Sequence, residues 1–495
     1  MKKLQNLISL RLVGLVAAII CLTASIFVSF TGSFDDFEKE MTKYPLEYSI
    51  STYNPYMQQF DAFHKHQLHL DVIPDERLSN LDNPYSPEER EGIDYLWDRA
   101  YYNGRYYSYF GIAPIIIFYE PFYILTGKLP TTATAIGFFA AIASIFLPLT
   151  ISNTAEIISK KSSKVLTFIL ALIAPSCSLL FLIQRGVSRF YYLATVSALA
   201  FTGLFLFLLT SAFTAKKRFV RTALFILSGI SYSLIFLSRF NQAILPGMAA
   251  LLFVIKLIIE KQKEGKLASA FVNCAFLAFP VLCAVVFTLI YNSLRFGSPF
   301  EFGTTYQLTV ADVSTYRLSA KAFLPAICHY FLQPFLIVSD FPFLRFKSDF
   351  IIPDEPAFYI DQCIGVFSHP FIILFLLAPF AAAKKKTLPF ERAILATLFI
   401  FPVLLAFIDY CFGGVIFRYT ADFAFFCFLC AAVTVLIISR DCKNAFSKGF
   451  LMSTVCWLSL TTAVISFLTV FMKSGNLSEV NPDILQKVSE ILCLQ

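Results

Sequence analysis

Long apolar runs broken by short polar stretches recur along the whole chain. Most are close to twenty residues, the length at which a helix crosses roughly 30 Å of hydrocarbon. Runs near 8–30, 131–152, 165–184, 192–214, 220–238, 242–260, 267–291, 366–383, 389–408, 421–438 and 449–472 read as crossing helices, eleven in all. Basic clusters at Lys160-Lys161-Ser162-Ser163-Lys164, Lys216-Lys217-Arg218, Lys261–Lys266, Lys384-Lys385-Lys386 and Arg440–Lys443 fall on one side if these runs pair as hairpins. The positive-inside rule makes that side cytoplasmic, so the N-terminus lies inside and the C-terminal tail outside.

Two shorter apolar runs, Phe110–Thr126 and Phe323–Val338, do not fit as crossings without turning basic loops outward. Each carries prolines, Pro114 and Pro121 in one and Pro325 and Pro334 in the other. Re-entrant or interfacial segments suit them, because irregular backbone at membrane depth must be shielded by protein; crossing instead, they would raise the count to thirteen.

The pattern predicts an all-α polytopic membrane protein. It has a first helix (1–30), a large external loop with short interfacial helices (31–109) and a bundle opening on a re-entrant or short helix (110–290). A second external loop (291–365), further crossing helices (366–472) and an external tail (473–495) complete it. Asn481-Pro482-Asp483 followed by Ile484, Val488, Ile491 and Leu492 predicts a short amphipathic helix in that tail.

Composition excludes a soluble domain: 57% of residues are hydrophobic and only 15% charged, against about half and a quarter in soluble proteins. Between Thr31 and Tyr109 there are 15 acidic and 7 basic residues, net −8 against +7 for the whole chain, so the remainder carries +15. An acidic external loop on a basic bundle follows. The twelve cysteines have no ligand-like spacing and read as small buried hydrophobes. No phosphate-binding glycine loop appears, which argues against an ATP-driven pump, and no nucleic-acid partner is expected.

Charged residues beside the membrane carry the candidate chemistry. The stretch Asp98–Pro114, "DRAYYNGRYYSYFGIAP", places five tyrosines around an Asn-Gly turn just before an apolar run. An aromatic belt explains scattered tyrosines, but not the turn with Asp98, Arg99 and Arg105 around it. In "YNSLRFGSPFEFGTTYQLT", Arg295 and Glu301 form a salt bridge or a ligand site. In "DYCFGGVIFRYTADF", Arg418, Tyr419 and Asp422 enter a helix; Arg418 and Asp422, four apart, either neutralise each other or line a substrate path. Arg239 and Arg185 are further arginines beside apolar runs. His64, His66 and His69 fit no zinc template.

The element Asn103, Gly104, Arg105, Tyr106 and Tyr107, then Ala113-Pro114 and the "GKLP" step at Gly127–Pro130, resembles the GT-C class of integral membrane glycosyltransferases. That class includes protein O-mannosyltransferases and the aminoarabinose transferases that modify lipid A. The resemblance implies a polyprenyl-phosphate sugar donor, an envelope glycan, lipid or protein acceptor, and inversion at the anomeric carbon. It also implies an acidic base in the first external loop, basic residues from later loops on the donor phosphate and, in some members, a divalent metal ion. Thr52 and Asn54 stand where members carry an acid, so the base is sought among Asp61, Asp71, Asp82 and Asp98. Arg418 is the preferred phosphate ligand, with Tyr419, Asp422, Arg105, Tyr106, Arg295, Glu301 and Arg239 around the substrates.

The expectation is a transferase on the outer face of a bacterial cytoplasmic membrane. The alternative is a non-enzymatic transporter or flippase of lipid-linked sugars, against which the absence of repeat-related halves argues; a structural envelope protein is third.

Overall fold

The computed structural model describes residues 9–31, 54–159, 162–185, 190–346 and 363–472. The predicted tail helix, Thr52, Lys160, Lys161 and the side chain of Arg185 lie outside the described residues.

The first helix, α1 (Leu10–Thr31), is followed by α2 (Pro55–His64), a β-hairpin of β1 (Ala100–Tyr102) and β2 (Arg105–Tyr107), a π turn over Ile115–Tyr119, and α3 (Glu120–Thr126). Next come α4 (Thr132–Ile158), α5 (Lys164–Cys177), α6 (Leu180–Arg185), α7 (Tyr191–Thr214), α8 (Arg218–Ser238), α9 (Phe240–Lys263) and α10 (Leu267–Phe296). The short α11 (Phe323–Ile327), α12 (Ala378–Ala383), α13 (Pro389–Gly413), α14 (Phe417–Asp441) and α15 (Ala445–Thr469) complete the order. Side chains cap several of these starts: Asn54 for α2, Thr131 for α4, Ser163 for α5 and Asn444 for α15, each satisfying a backbone N–H of the first turn that has no helical acceptor.

Among the described residues, ten helices are long and apolar enough to cross a membrane, with α5 and α6 together making one of them. The α5–α6 unit is broken just after Pro175, where Leu179 adopts a left-handed φ of 60°. Burial sorts the bundle from centre to edge. The apolar stretch of α14 is 94% buried, while those of α10 and α15 are 22% buried and expose Phe279, Leu282, Phe446 and Phe450. In water such faces would be an aggregation liability; against lipid they are the ordinary outer surface.

The predicted helix at 366–383 is not a regular α-helix. It opens as 3₁₀ turns over Val366–Ser368 and Pro370–Leu377 and becomes α-helical only at α12. Its first end is held where Thr420 Oγ1 donates to the Ile364 carbonyl (3.2 Å), and its basic end where Arg392 donates to the Lys384 carbonyl (3.2 Å). Between them the Phe371 N–H donates to Thr462 Oγ1 (3.0 Å) and Phe375 stacks on Phe399. A 3₁₀ turn rises ~2.0 Å per residue rather than ~1.5 Å, so fewer residues reach the same depth. The two proline-bearing runs at 110–126 and 323–338 hold only short helices.

The tyrosine-rich stretch is the hairpin. Asn103 (φ 47°) and Gly104 (φ 70°) are both left-handed, the geometry a two-residue hairpin turn needs. Tyr101 and Tyr106 pair across it and enter a small external core with Leu70, Leu78, Leu96 and Leu308. Tyr107 and Tyr102 pack on Phe296 at the end of α10.

This hairpin joins the segment before it, 65–99, to the loop that follows α10. Ala100 bridges Gln307, Tyr101 N–H donates to the Tyr306 carbonyl (2.9 Å), and Leu308 N–H donates to that of Arg99 (2.9 Å). Buried Arg90 adds a bond to the Thr309 carbonyl (2.8 Å), and Asn83 one to Asp312 (2.9 Å).

Candidate functional site

The ends of α8, α10 and α13 and the starts of α7, α9 and α14 meet beneath the joined external loops, around a cavity of about 550 Å³. The run before β1 brings in Asp98. Its N–H donates to the Leu308 carbonyl (3.0 Å), and its φ of 54° is left-handed, a conformation Asp tolerates better than most residues. The segment between α2 and β1 therefore presents a carboxylate to the cavity at a place fixed by the loop after α10.

Asp98 is 8% exposed and accepts a short hydrogen bond from the Tyr191 hydroxyl. Arg99 turns away, donating to Gln58 (2.9 Å) and to the Trp97 carbonyl (3.1 Å). Burial pushes the Arg99 guanidinium down to about 10, still cationic at neutral pH.

Three arginines line the same cavity in different electrostatic states. Arg239 is spent on Asp422, its Nε 3.0 Å from both carboxylate oxygens and its Nη2 2.7 Å from one, while Gln242 donates to the other (2.8 Å). That corrects the reading of Arg418 and Asp422 as a local i,i+4 pair. Arg418 makes no ion pair among the described residues. Its guanidinium lies 4.7 Å from the Tyr191 ring centre and 5.1 Å from that of Tyr419.

Arg295, 6% exposed, is also without a carboxylate among the described residues. It donates to the Ser108 carbonyl (2.7 Å) and to Asn292 (2.9 Å), and its Nε has no partner. Of the two readings of Arg295 and Glu301, the salt bridge does not form: Glu301 accepts from the Gly303 N–H (2.6 Å) and from Thr305, closing its own turn. Two buried or half-buried cations thus line the cavity with no ion-pair partner among the described residues.

The other sequence candidates lie elsewhere. Asp61 is fully buried in α2 beside Lys65 (2.9 Å) and does not line the cavity. Asp82 and Asp71 are exposed on the external lobe, Asp71 also on Lys65 (2.6 Å). Arg105 is exposed at the hairpin tip and Tyr106 sits in the external core, so this pair builds the support rather than the cavity. Tyr419 lines the cavity; Asp422 stands behind Arg239.

Sequence reasoning missed Asp409 of α13, a cavity-lining carboxylate 2% exposed. The signal was there: a lone acid in the apolar run "IFPVLLAFIDYCF" is costly at membrane depth. No group of three potential metal ligands converges among the described residues, and Asp98 and Asp409 stand on different elements. His64 is engaged with Glu120 (2.9 Å).

A carboxylate with a positioned phenol, facing two cations without acidic partners, is suited to taking a proton from one group while holding an anion on another. No known protein family, no curated protein and no solved structure matches the chain.

Proposed function

We propose that the chain is a membrane glycosyltransferase of GT-C type. It moves a sugar from a polyprenyl-phosphate donor to a cell-envelope glycan, lipid or protein on the outer face of the cytoplasmic membrane. In this reading the segment 366–383 is one more crossing beside the ten long helices, the N-terminus is cytoplasmic and the cavity opens outward. The observation that carries it is the pairing of the Asp98 carboxylate with the cations Arg418 and Arg295 in one cavity at the bundle's outer end.

Asp98 takes the proton of an acceptor hydroxyl as that oxygen bonds to the anomeric carbon. The bond from that carbon to phosphate oxygen breaks, and the polyprenyl phosphate leaves with the electron pair. Charge grows on the phosphate as it departs, and Arg418 and Arg295 stabilise it there most strongly. Exposed Phe240, Phe287 and Phe412 line the same cavity, offering an apolar flank to the lipid part of the donor.

The test is mass spectrometry of polyprenyl-linked lipids and envelope glycans from cells with and without the protein. A polyprenyl monophosphate sugar should build up while one glycan, lipid or protein loses that sugar. Unaltered glycans with lipid-linked sugar held on the inner leaflet would point to a flippase and overturn the reading.

A further inference from the structure

Asp409 lines the same cavity as the arginines. Its Oδ1 accepts from Asn241 Nδ2 (2.9 Å) on the first turn of α9, and its Oδ2 has no partner among the described residues. Ser238 Oγ, also lining the cavity, is likewise without a partner among them. A buried carboxyl oxygen left without a hydrogen-bond partner is costly. Arg239, the cation of the neighbouring α8–α9 junction, already belongs to Asp422. Asp409 lines the cavity, and its unpartnered oxygen is buried there with no hydrogen-bond donor among the described residues.

We propose that Asp409 is a specificity-determining residue that receives a hydrogen-bond-donating substituent, hydroxyl or ammonium, of the transferred sugar. The inference rests on the transferase reading, since the sugar is the only part of a lipid-phosphate sugar that carries such groups. The phosphate diester carries only acceptor oxygens, and the isoprenoid has nothing to donate. The cavity is then sorted by chemistry: Arg418 and Arg295 for phosphate, Asp409 and Asn241 for sugar.

The experiment measures binding to the purified full-length protein in nanodiscs. The probes are undecaprenyl phosphate alone and its glucosyl, mannosyl and aminoarabinosyl derivatives. The wild type should bind bare undecaprenyl phosphate, and at least one glycosyl form about 10- to 100-fold more tightly, the gain one hydrogen bond to a charged group supplies. Asp409→Leu should lose that gain and keep the bare-lipid affinity, which also shows that the variant is folded. Asp409→Asn separates the two donors: with its amide oxygen on Asn241, its N–H can donate to a sugar hydroxyl and keep part of the gain, but with an ammonium it keeps none. A gain retained in Asp409→Leu, no gain for any sugar, or weaker bare-lipid binding in Asp409→Asn overturns the inference. No binding of undecaprenyl phosphate by the wild type overturns the transferase reading itself.

Discussion

Tyr191, at the start of α7, donates its hydroxyl to the carboxylate of Asp98, 93 positions earlier in the chain. The same ring lies against the Arg418 guanidinium, so one side chain orients the proposed base and the proposed phosphate ligand together. Asp98→Asn keeps the size and an acceptor oxygen for Tyr191 but cannot take a proton. Transfer should fall about 10²- to 10⁴-fold, with affinity for undecaprenyl phosphate unchanged. Full activity in Asp98→Ala would remove the catalytic assignment.

Arg418 rests on two aromatic faces, which suits a flat guanidinium better than an ammonium. Arg418→Ala should therefore cost about 1.5–3 kcal/mol of lipid-phosphate binding, and Arg418→Lys should recover only part of it. Titration of undecaprenyl phosphate against both variants checks the order; a lysine variant as tight as wild type would show that charge alone suffices.

Buried ion pairs cost most when halved. Asp422→Ala leaves Arg239 uncompensated and should lower stability by about 3–5 kcal/mol, whereas the double change Arg239→Met with Asp422→Leu should restore most of it. Thermal unfolding in detergent reads both. Equal losses in the single and double variants would mean that packing, not charge, holds this junction.

Much of this fold is legible in the chain because lipid imposes a simple demand on every crossing segment. Runs of apolar residues and the basic loops between them locate ten of the long helices, and "NG" amid alternating tyrosines announces its turn. Partnerships at the site are a different matter. The spacing of Arg418 and Asp422 speaks only of neighbours on one helix, yet Asp422 is claimed by Arg239, 183 residues away. Arg295 and Glu301 are close in sequence, but a Gly303 N–H reaches the carboxylate first. The 3₁₀ turns at Pro370–Leu377 are hidden for a similar reason, since periodicity records which residues are apolar and not how tightly the backbone is wound.

Gly413 leaves room for an aromatic ring: a Cβ there would sit 2.0 Å from the Tyr419 ring. Gly413→Ala should displace Tyr419 and with it the support under Arg418, abolishing transfer although alanine favours helix. Gly449 of α15 has nothing within 4 Å of its Cβ position, so Gly449→Ala should leave transfer intact and stability equal or up to about 1 kcal/mol higher. Comparable activity of the two variants would sink the argument.

Asp312 ties the second external loop to Asn83 of the first. Burial opposes its ionisation, but hydrogen bonds from Ser314 and Asn83 outweigh that and hold the carboxyl below the usual carboxylate range. A carboxyl whose folded value is depressed stabilises the docked loops above its unfolded value of about 3.9 and ceases to as pH falls through the lower folded one. Trp97, beside Asp98, reports this once Trp457, the other tryptophan, is replaced by phenylalanine. Its fluorescence should be flat from about pH 7 to 5 and change below about 4, and Asp312→Asn should abolish that change.

The Arg239–Asp422 pair also sets a clock on biogenesis. At roughly 5–20 residues per second of synthesis, the 183 positions between the partners amount to about ten to forty seconds. For that time the α8–α9 hairpin carries a cation at the membrane's edge with no counter-charge. Nascent chains that stop before α14 expose that charge to the insertion machinery, whereas finished ones conceal it.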